Sequence, residues 1–114
     1  MKIKDSEKDN IVIFDLSGKI MGGDEAALFH GKIHEYLDQN KKQFVLNMKN
    51  IDWTNSLGLG MLIAGHSAVN KAEGRLVLAN ITNIENILAI TRLIRVFEAF
   101  DSLDEALAAF KSDN

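Results

Sequence analysis

The chain has 114 residues, 46% of them apolar and 25% charged, with a formal net charge of −3. This is the size and mixture of one globular domain that buries a core without covalent staples, so residues 1–114 are read as a single domain. With no cysteine, disulfide frameworks and thiolate metal sites are excluded; the acidic balance points away from nucleic acid, and no apolar run approaches the roughly 18–20 residues that span a bilayer.

Met1–Asp5 carries charges with no apolar run behind them, which does not read as a signal peptide and leads us to expect a cytoplasmic protein. Ile3–Ser6 reads as a short edge strand, and Glu7–Asn10 as a polar turn. Ile11–Leu16, apolar and rich in β-branched residues, reads as a buried strand hairpinned to the first. Ser17–Gly23 holds three glycines and reads as a loop, with Lys19–Met21 pairing briefly at a sheet edge. Asp24 is the expected N-cap of a first helix that carries Ala27, Leu28, Ile33, Tyr36 and Leu37 at near-helical spacing and ends at Asn40.

Phe44–Met48 is the next strand and Lys49–Asn55 its exit connection. Ser56–Glu73 reads as the second helix, with Gly74 at the position after its end where a left-handed residue is favoured. Leu76–Asn80 is another buried strand. Ile84, Ile87, Leu88, Thr91 and Ile94 suit one face of a third helix, and Val96–Phe100 a last strand. Ser102 and Glu105 have capping-box spacing and open a final helix. The alternation of strand and helix after the opening hairpin predicts an α/β domain, with about five strands in a mixed, mostly parallel sheet and about four helices.

The junction Asn55-Ser56-Leu57-Gly58-Leu59-Gly60 stands where a strand's exit enters a helix. Asn55 or Ser56 can cap the helix, because a side-chain oxygen there accepts from an N–H one turn in. The first-turn N–H groups lack intrahelical partners and favour negative charge. Gly58 and Gly60 each cost about 1 kcal/mol relative to alanine inside a helix. Two of them in one opening turn serve contact or packing. On spacing alone, an ordinary capped helix packed on the sheet explains the run. It is not a phosphate loop, since no lysine follows the glycines until Lys71.

Other constellations are weaker. His30 and His34 share a helix face with Glu35 nearby, which is half of a zinc site, and His66 is the one further histidine. Gly31 stands where the zinc-protease helix needs glutamate, so surface histidines are the simpler reading. Ser56 lies outside any nucleophile-elbow pattern, nothing supplies it with a base, and Asp52 reads as a loop carboxylate. Trp53 is a core plug or an interface anchor. Thr91–Arg95 places two cations among apolar residues and reads as a solvated edge or a partner contact. The chain is therefore expected to be a binding module and not an enzyme, with no cofactor and no metal.

The run from Phe44 to Gly60 resembles the signature of STAS domains, and specifically of bacterial anti-sigma-factor antagonists. In that family a strand with a central Asn or Asp leads to Asp-Ser-Ser/Thr/Ala-Gly-Leu-Gly at the start of a helix. The turn and strand Ala72–Asn80, the segment Ile90–Phe100, the stretch Ser102–Leu107, and Gly18 followed by Asp24 are similar to the family as well. The resemblance implies a partner-switching regulator of transcription. Unphosphorylated, such a domain binds an anti-sigma factor that is a Ser/Thr kinase; phosphorylation at the junction breaks the complex and a phosphatase restores it. It implies no nucleic-acid or membrane partner. On this basis Trp53, Thr54, Asn55, Ser56, Leu57, Gly58, Leu59 and Gly60 are the expected partner-binding residues. Asn55 stands where the family has Asp, and Leu57 where many members carry the acceptor hydroxyl. Ser56 is then the candidate acceptor and Thr54 a weaker one. A STAS module of another assembly, stressosome-like and not switched by phosphate at the usual position, is the alternative.

Overall fold

In the computed structural model, which describes residues 1–81 and 96–112, seven residues of β1 (Lys2–Lys8) pair antiparallel with β2 (Ile11–Ile20). The turn between them is made by Asp9 and Asn10, both at positive φ (53° and 66°). Aspartate and asparagine tolerate that region better than other side chains. The chain then alternates: α1 (Asp24–Asp38), β3 (Gln43–Thr54), α2 (Ser56–Lys71), β4 (Arg75–Ala79), β5 (Glu98–Phe100) and α3 (Leu103–Ser112). The strand order is β1-β2-β3-β4-β5, with β2 to β5 parallel. This is the expected α/β architecture with a mostly parallel five-stranded sheet. Among the described residues there are three helices; the helix expected around Ile84–Ile94 and the cations of Thr91–Arg95 lie outside them.

The central strands are apolar on both faces because both faces are covered. Val12, Phe14 and Leu16 on β2, with Phe44, Leu46 and Met48 on β3, meet Phe29 and Ile33 of α1 and Leu59, Leu62 and Val69 of α2. The alternate residues Ile11, Ile13, Val45 and Val77 meet Ala106, Leu107 and Phe110 of α3. Gly65 lets α1 and α2 close on each other: a Cβ there would lie 2.6 Å from the Phe29 ring. Ser102 Oγ accepts from the Glu105 N–H at 3.1 Å, so the cap expected for the last helix is present.

Several boundaries differ from expectation. β3 runs on to Thr54, where a connection was expected, and β2 to Ile20, so that Lys19 and Ile20 pair as expected but as a continuation of the strand. The two tails pair with each other, Ser17 with Asn50 through Ile20 with Thr54, beyond the point where β4 stops opposite Asn47. They form a two-stranded arm, and register shifts bend it between Asp15 and Ser17 and again between Gly18 and Lys19. α1 begins with Asp24 inside the helix; Gly23, at φ 68°, holds the cap position and makes no side-chain cap. α1 ends at Asp38 and not Asn40, and α2 at Lys71 and not Glu73. At the end of α2, Glu73 takes the left-handed conformation at φ 64° that was expected of Gly74. The N–H groups of Glu73 and Gly74 close back on Asn70 O and Val69 O at 2.9 and 2.8 Å. Gly74 is needed for a different reason: a Cβ there would lie 2.4 Å from the Lys42 carbonyl.

Candidate functional site

The arm formed by the tails of β2 and β3 delivers the chain directly into α2, since Asn55 is the single residue between Thr54 and Ser56. Asn55 is extended (φ −132°, ψ −177°) and its Oδ1 accepts from the Gly58 N–H at 2.8 Å. The capping side chain is thus Asn55, and the Ser56 hydroxyl is left over. Ser56 is exposed, and among the described residues its hydroxyl has no hydrogen-bond partner.

The junction residues divide between two environments. Thr54 is 1% exposed, and its hydroxyl donates to Asn55 O at 3.4 Å. Gly58 is buried, and a Cβ there would lie 2.3 Å from Ile20 O and 2.7 Å from Thr54 Oγ1. Leu59 sits in the core. These three residues seat the helix start on the end of the arm. Leu57 is 71% exposed, and Gly60, one turn on, is exposed, with no atom of another element within 4 Å of an added Cβ among the described residues. Ser56, Leu57 and Gly60 therefore face solvent, whereas Thr54, Gly58 and Leu59 face inward. Trp53 is half-buried, opposite Lys19 on β2, and is not part of either core cluster.

A segment distant in sequence completes the surface. Gly22 (φ 81°) runs against Leu57, its Cβ position being 2.9 Å from the Leu57 Cβ. Met21 beside it is 52% exposed. The loop is held by Glu25, whose Oε2 accepts from the Met21 N–H at 3.1 Å and whose Oε1 meets the Met1 ammonium at 2.7 Å. Burial opposes ionisation of Glu25, but the ammonium and the backbone N–H groups outweigh it and hold the carboxyl below its ordinary value. Nothing in the sequence placed Gly22 and its neighbour Met21 near Leu57; the Gly22–Leu57 contact exists because the β2 and β3 tails pair through to Ile20 and Thr54.

The sheet order is monotonic and α1 and α2 lie on the same face. The α1 and α2 crossovers therefore do not diverge to leave a crevice between them at the strand ends. A polar hollow of about 470 Å³ lies at the other end of the sheet, lined by Asn10 and residues 39–43. The histidines do not converge. His30 Nε2 is 3.0 Å from Met61 O, and His66 packs edge-on against Phe97 with its Nδ1 3.4 Å from Asn70 Nδ2. Among the described residues no cluster of three His, Cys, Asp or Glu side chains is placed to hold a metal, and no helix is long and apolar enough to cross a membrane.

The strand end below the junction carries a polar ladder. Asn47 Nδ2 donates to Asp15 Oδ1 at 2.8 Å, and Asn80 Nδ2 donates to Asn47 Oδ1 at 2.8 Å. One side chain therefore ties β2, β3 and the end of β4 together at the root of the arm.

Comparison with solved structures finds the same fold. A Thermotoga maritima protein described as a candidate anti-sigma factor antagonist superposes with a TM-score of 0.81 at 20% identity, covering 96% of this chain and 94% of that one. The anti-sigma factor antagonist SpoIIAA of Bacillus, in its unphosphorylated form, gives 0.75 at 14% identity, covering 99% and 100%. An anti-sigma factor antagonist of Mycobacterium paratuberculosis gives 0.76 at 20% identity, covering 96% and 93%. A search of curated proteins finds no significant match. The STAS domain family model matches residues 2–106, and the chain belongs to the STAS domain family.

Proposed function

We propose that this protein is an anti-sigma-factor antagonist, a binder and not an enzyme, which docks an anti-sigma factor kinase in the cytoplasm through the α2 junction and so regulates transcription. The observation that carries this reading is the division of the junction. Thr54, Gly58 and Leu59 anchor it, while Ser56, Leu57 and Gly60 stand in solvent with Met21 beside them. A leucine that is 71% exposed on a helix's first turn contributes nothing to this core, and apolar anchors dominate protein interfaces. Gly60 contributes no packing that alanine would not, so its helix cost of about 1 kcal/mol is explained by close approach of a partner backbone.

The switch in this proposal is phosphorylation of Ser56. SpoIIAA, which shares the fold, has been solved in a phosphorylated form. Here Asn55 does the capping, so modification of the Ser56 hydroxyl removes no bond from the fold. A phosphate adds about −1.5 to −2 of charge to a helix start, where the dipole tolerates it and a fitted interface does not. Thr54 is too buried to serve as acceptor. A phosphatase partner follows as the enzyme that resets the switch.

Calorimetry with the cognate kinase tests the docking: native chain binds, and Leu57→Asp loses binding while keeping its fold. Incubation with the kinase and ATP, followed by mass spectrometry, tests the switch. Docking without phosphate on Ser56 would remove the switch and keep the antagonist. The second reading, a scaffold of a stressosome-like assembly, is favoured by Leu57 standing where many relatives carry the acceptor hydroxyl. Co-purification of an anti-sigma kinase alone counts against it.

A further inference from the structure

The four methionines are not equivalent. Met48 is 1% and Met61 3% exposed, the Met1 side chain is 0% exposed, and Met21 is 52% exposed. The chain has no cysteine to compete for oxidants. The accessible sulfur is thus Met21, and it lies beside Leu57 through Gly22, on the surface assigned above to docking. We propose that Met21 is a site of reversible oxidation by peroxide, and that its sulfoxide makes this patch polar and weakens docking. The docking half of this inference rests on the proposed function; the oxidation half does not.

The reaction is an oxygen transfer. A sulfur lone pair of the Met21 thioether attacks one peroxide oxygen, the O–O bond breaks, and the sulfur loses two electrons as the S=O bond forms. The other oxygen takes those electrons, leaves as hydroxide and gains the proton released by the sulfur-bound oxygen, giving water. The product carries a strong dipole where the thioether carried none, and a methionine sulfoxide reductase reverses it. Burying that dipole against an apolar partner costs free energy unless the partner supplies a donor. The fold is insulated from the change. The loop is fixed by its backbone, through the Met21 N–H on Glu25 and the positive φ of Gly22 and Gly23, and not by the thioether.

The test uses the full chain and graded hydrogen peroxide. Peptide mass mapping is expected to show the added oxygen on Met21 about tenfold faster than on Met48 or Met61, with an unchanged melting temperature. Hydrophobic-interaction chromatography is expected to elute the oxidised chain earlier, with retention restored by the reductase, and no change on treating Met21→Leu. Oxidation of Met48 and Met61 in step with Met21, or earlier elution that persists in Met21→Leu, overturns the proposal. With the anti-sigma kinase as probe, the oxidised chain is expected to bind about tenfold more weakly. Equal binding of native and oxidised chains overturns the docking half and leaves the antagonist reading standing. If the native chain binds no such kinase, the antagonist reading and the docking half fall together, and mass mapping and chromatography decide the oxidation site by themselves.

Discussion

The Gly58 N–H donates to Asn55 Oδ1 at 2.8 Å, and this one bond separates the structural and exposed halves of the junction. It satisfies a first-turn donor with the residue before Ser56, so the serine hydroxyl carries no part of the cap. Asn55→Ala is expected to destabilise the protein by about 1 kcal/mol in urea denaturation. Ser56→Ala is expected to fall within about 0.5 kcal/mol of the native chain. A larger loss for Ser56→Ala than for Asn55→Ala would reverse the assignment of the cap.

The two junction glycines predict opposite outcomes on alanine substitution. At Gly58 the new methyl meets Ile20 O at 2.3 Å. That atom is backbone of the neighbouring strand and cannot swing aside, so Gly58→Ala is expected to cost about 1–3 kcal/mol. At Gly60 no atom of another element lies within 4 Å of the new methyl among the described residues, and Gly60→Ala is expected to stabilise the helix by about 0.5–1 kcal/mol. Paired thermal melts of the two variants check both signs. A Gly60→Ala protein that is more stable but binds the kinase less well would mark Gly60 as kept for contact.

Strand and helix order was legible because the central strands bury both faces and so read as plain apolar runs. The arm was not. In β3, burial falls on Met48, Ile51 and Thr54, every third residue and not every second, because the ladder to β2 slips register twice. Period-two reading fails on such a segment, and Lys49, Asn50 and Asp52 make it look like a loop. The end of α2 failed for another reason: Gly74 is required by the Lys42 carbonyl, so Glu73 accepts the left-handed turn. At the site, spacing located the junction but left the cap open between Asn55 and Ser56. It had no means of bringing Met21, which precedes Leu57 by a whole helix and strand, to the same patch.

The polar ladder at the root of the arm gives a third prediction. Asn47 is half-buried and serves Asp15 and Asn80 at once. Asn47→Ala leaves both without that partner and is expected to cost about 1–3 kcal/mol. Asn47→Asp instead places a second carboxylate against Asp15. Like charges raise the carboxyl pKa in the folded state, so the folded state binds more protons than the unfolded state and stability falls as pH rises. The aspartate variant is therefore expected to be closer to native stability at mildly acidic pH than at neutral pH, measured by urea denaturation, while the alanine variant shows no such recovery.

Three titratable groups make the stability of the fold depend on pH, and their signs differ. The Tyr36 hydroxyl donates to Asp5, with Lys32 Nζ 3.2 Å from the same carboxylate, which binds α1 to β1. Tyr36 holds the Asp5 carboxyl below its ordinary 3.8, so the bond's contribution is present above that pH and is lost as pH falls through the lower folded value. The same bond pushes Tyr36 from 10.0 up to about 12. A raised tyrosine stabilises the fold below pH 10 and loses that contribution as pH climbs toward 12. Burial against Phe97 lowers His66 from 6.5, with Glu98 pulling the other way. The unfolded chain then takes the proton first, and stability falls as pH drops below 6.5. Tyr36→Phe is expected to cost about 1 kcal/mol near neutrality, and to flatten both the acid limb and the alkaline limb of the stability profile. His66→Gln is expected to remove the slope below pH 6.5 and leave the alkaline limb untouched. Urea titrations of the native chain and both variants across these three windows separate the two effects, and a His66→Gln profile that parallels the native one would assign the mid-acid slope elsewhere.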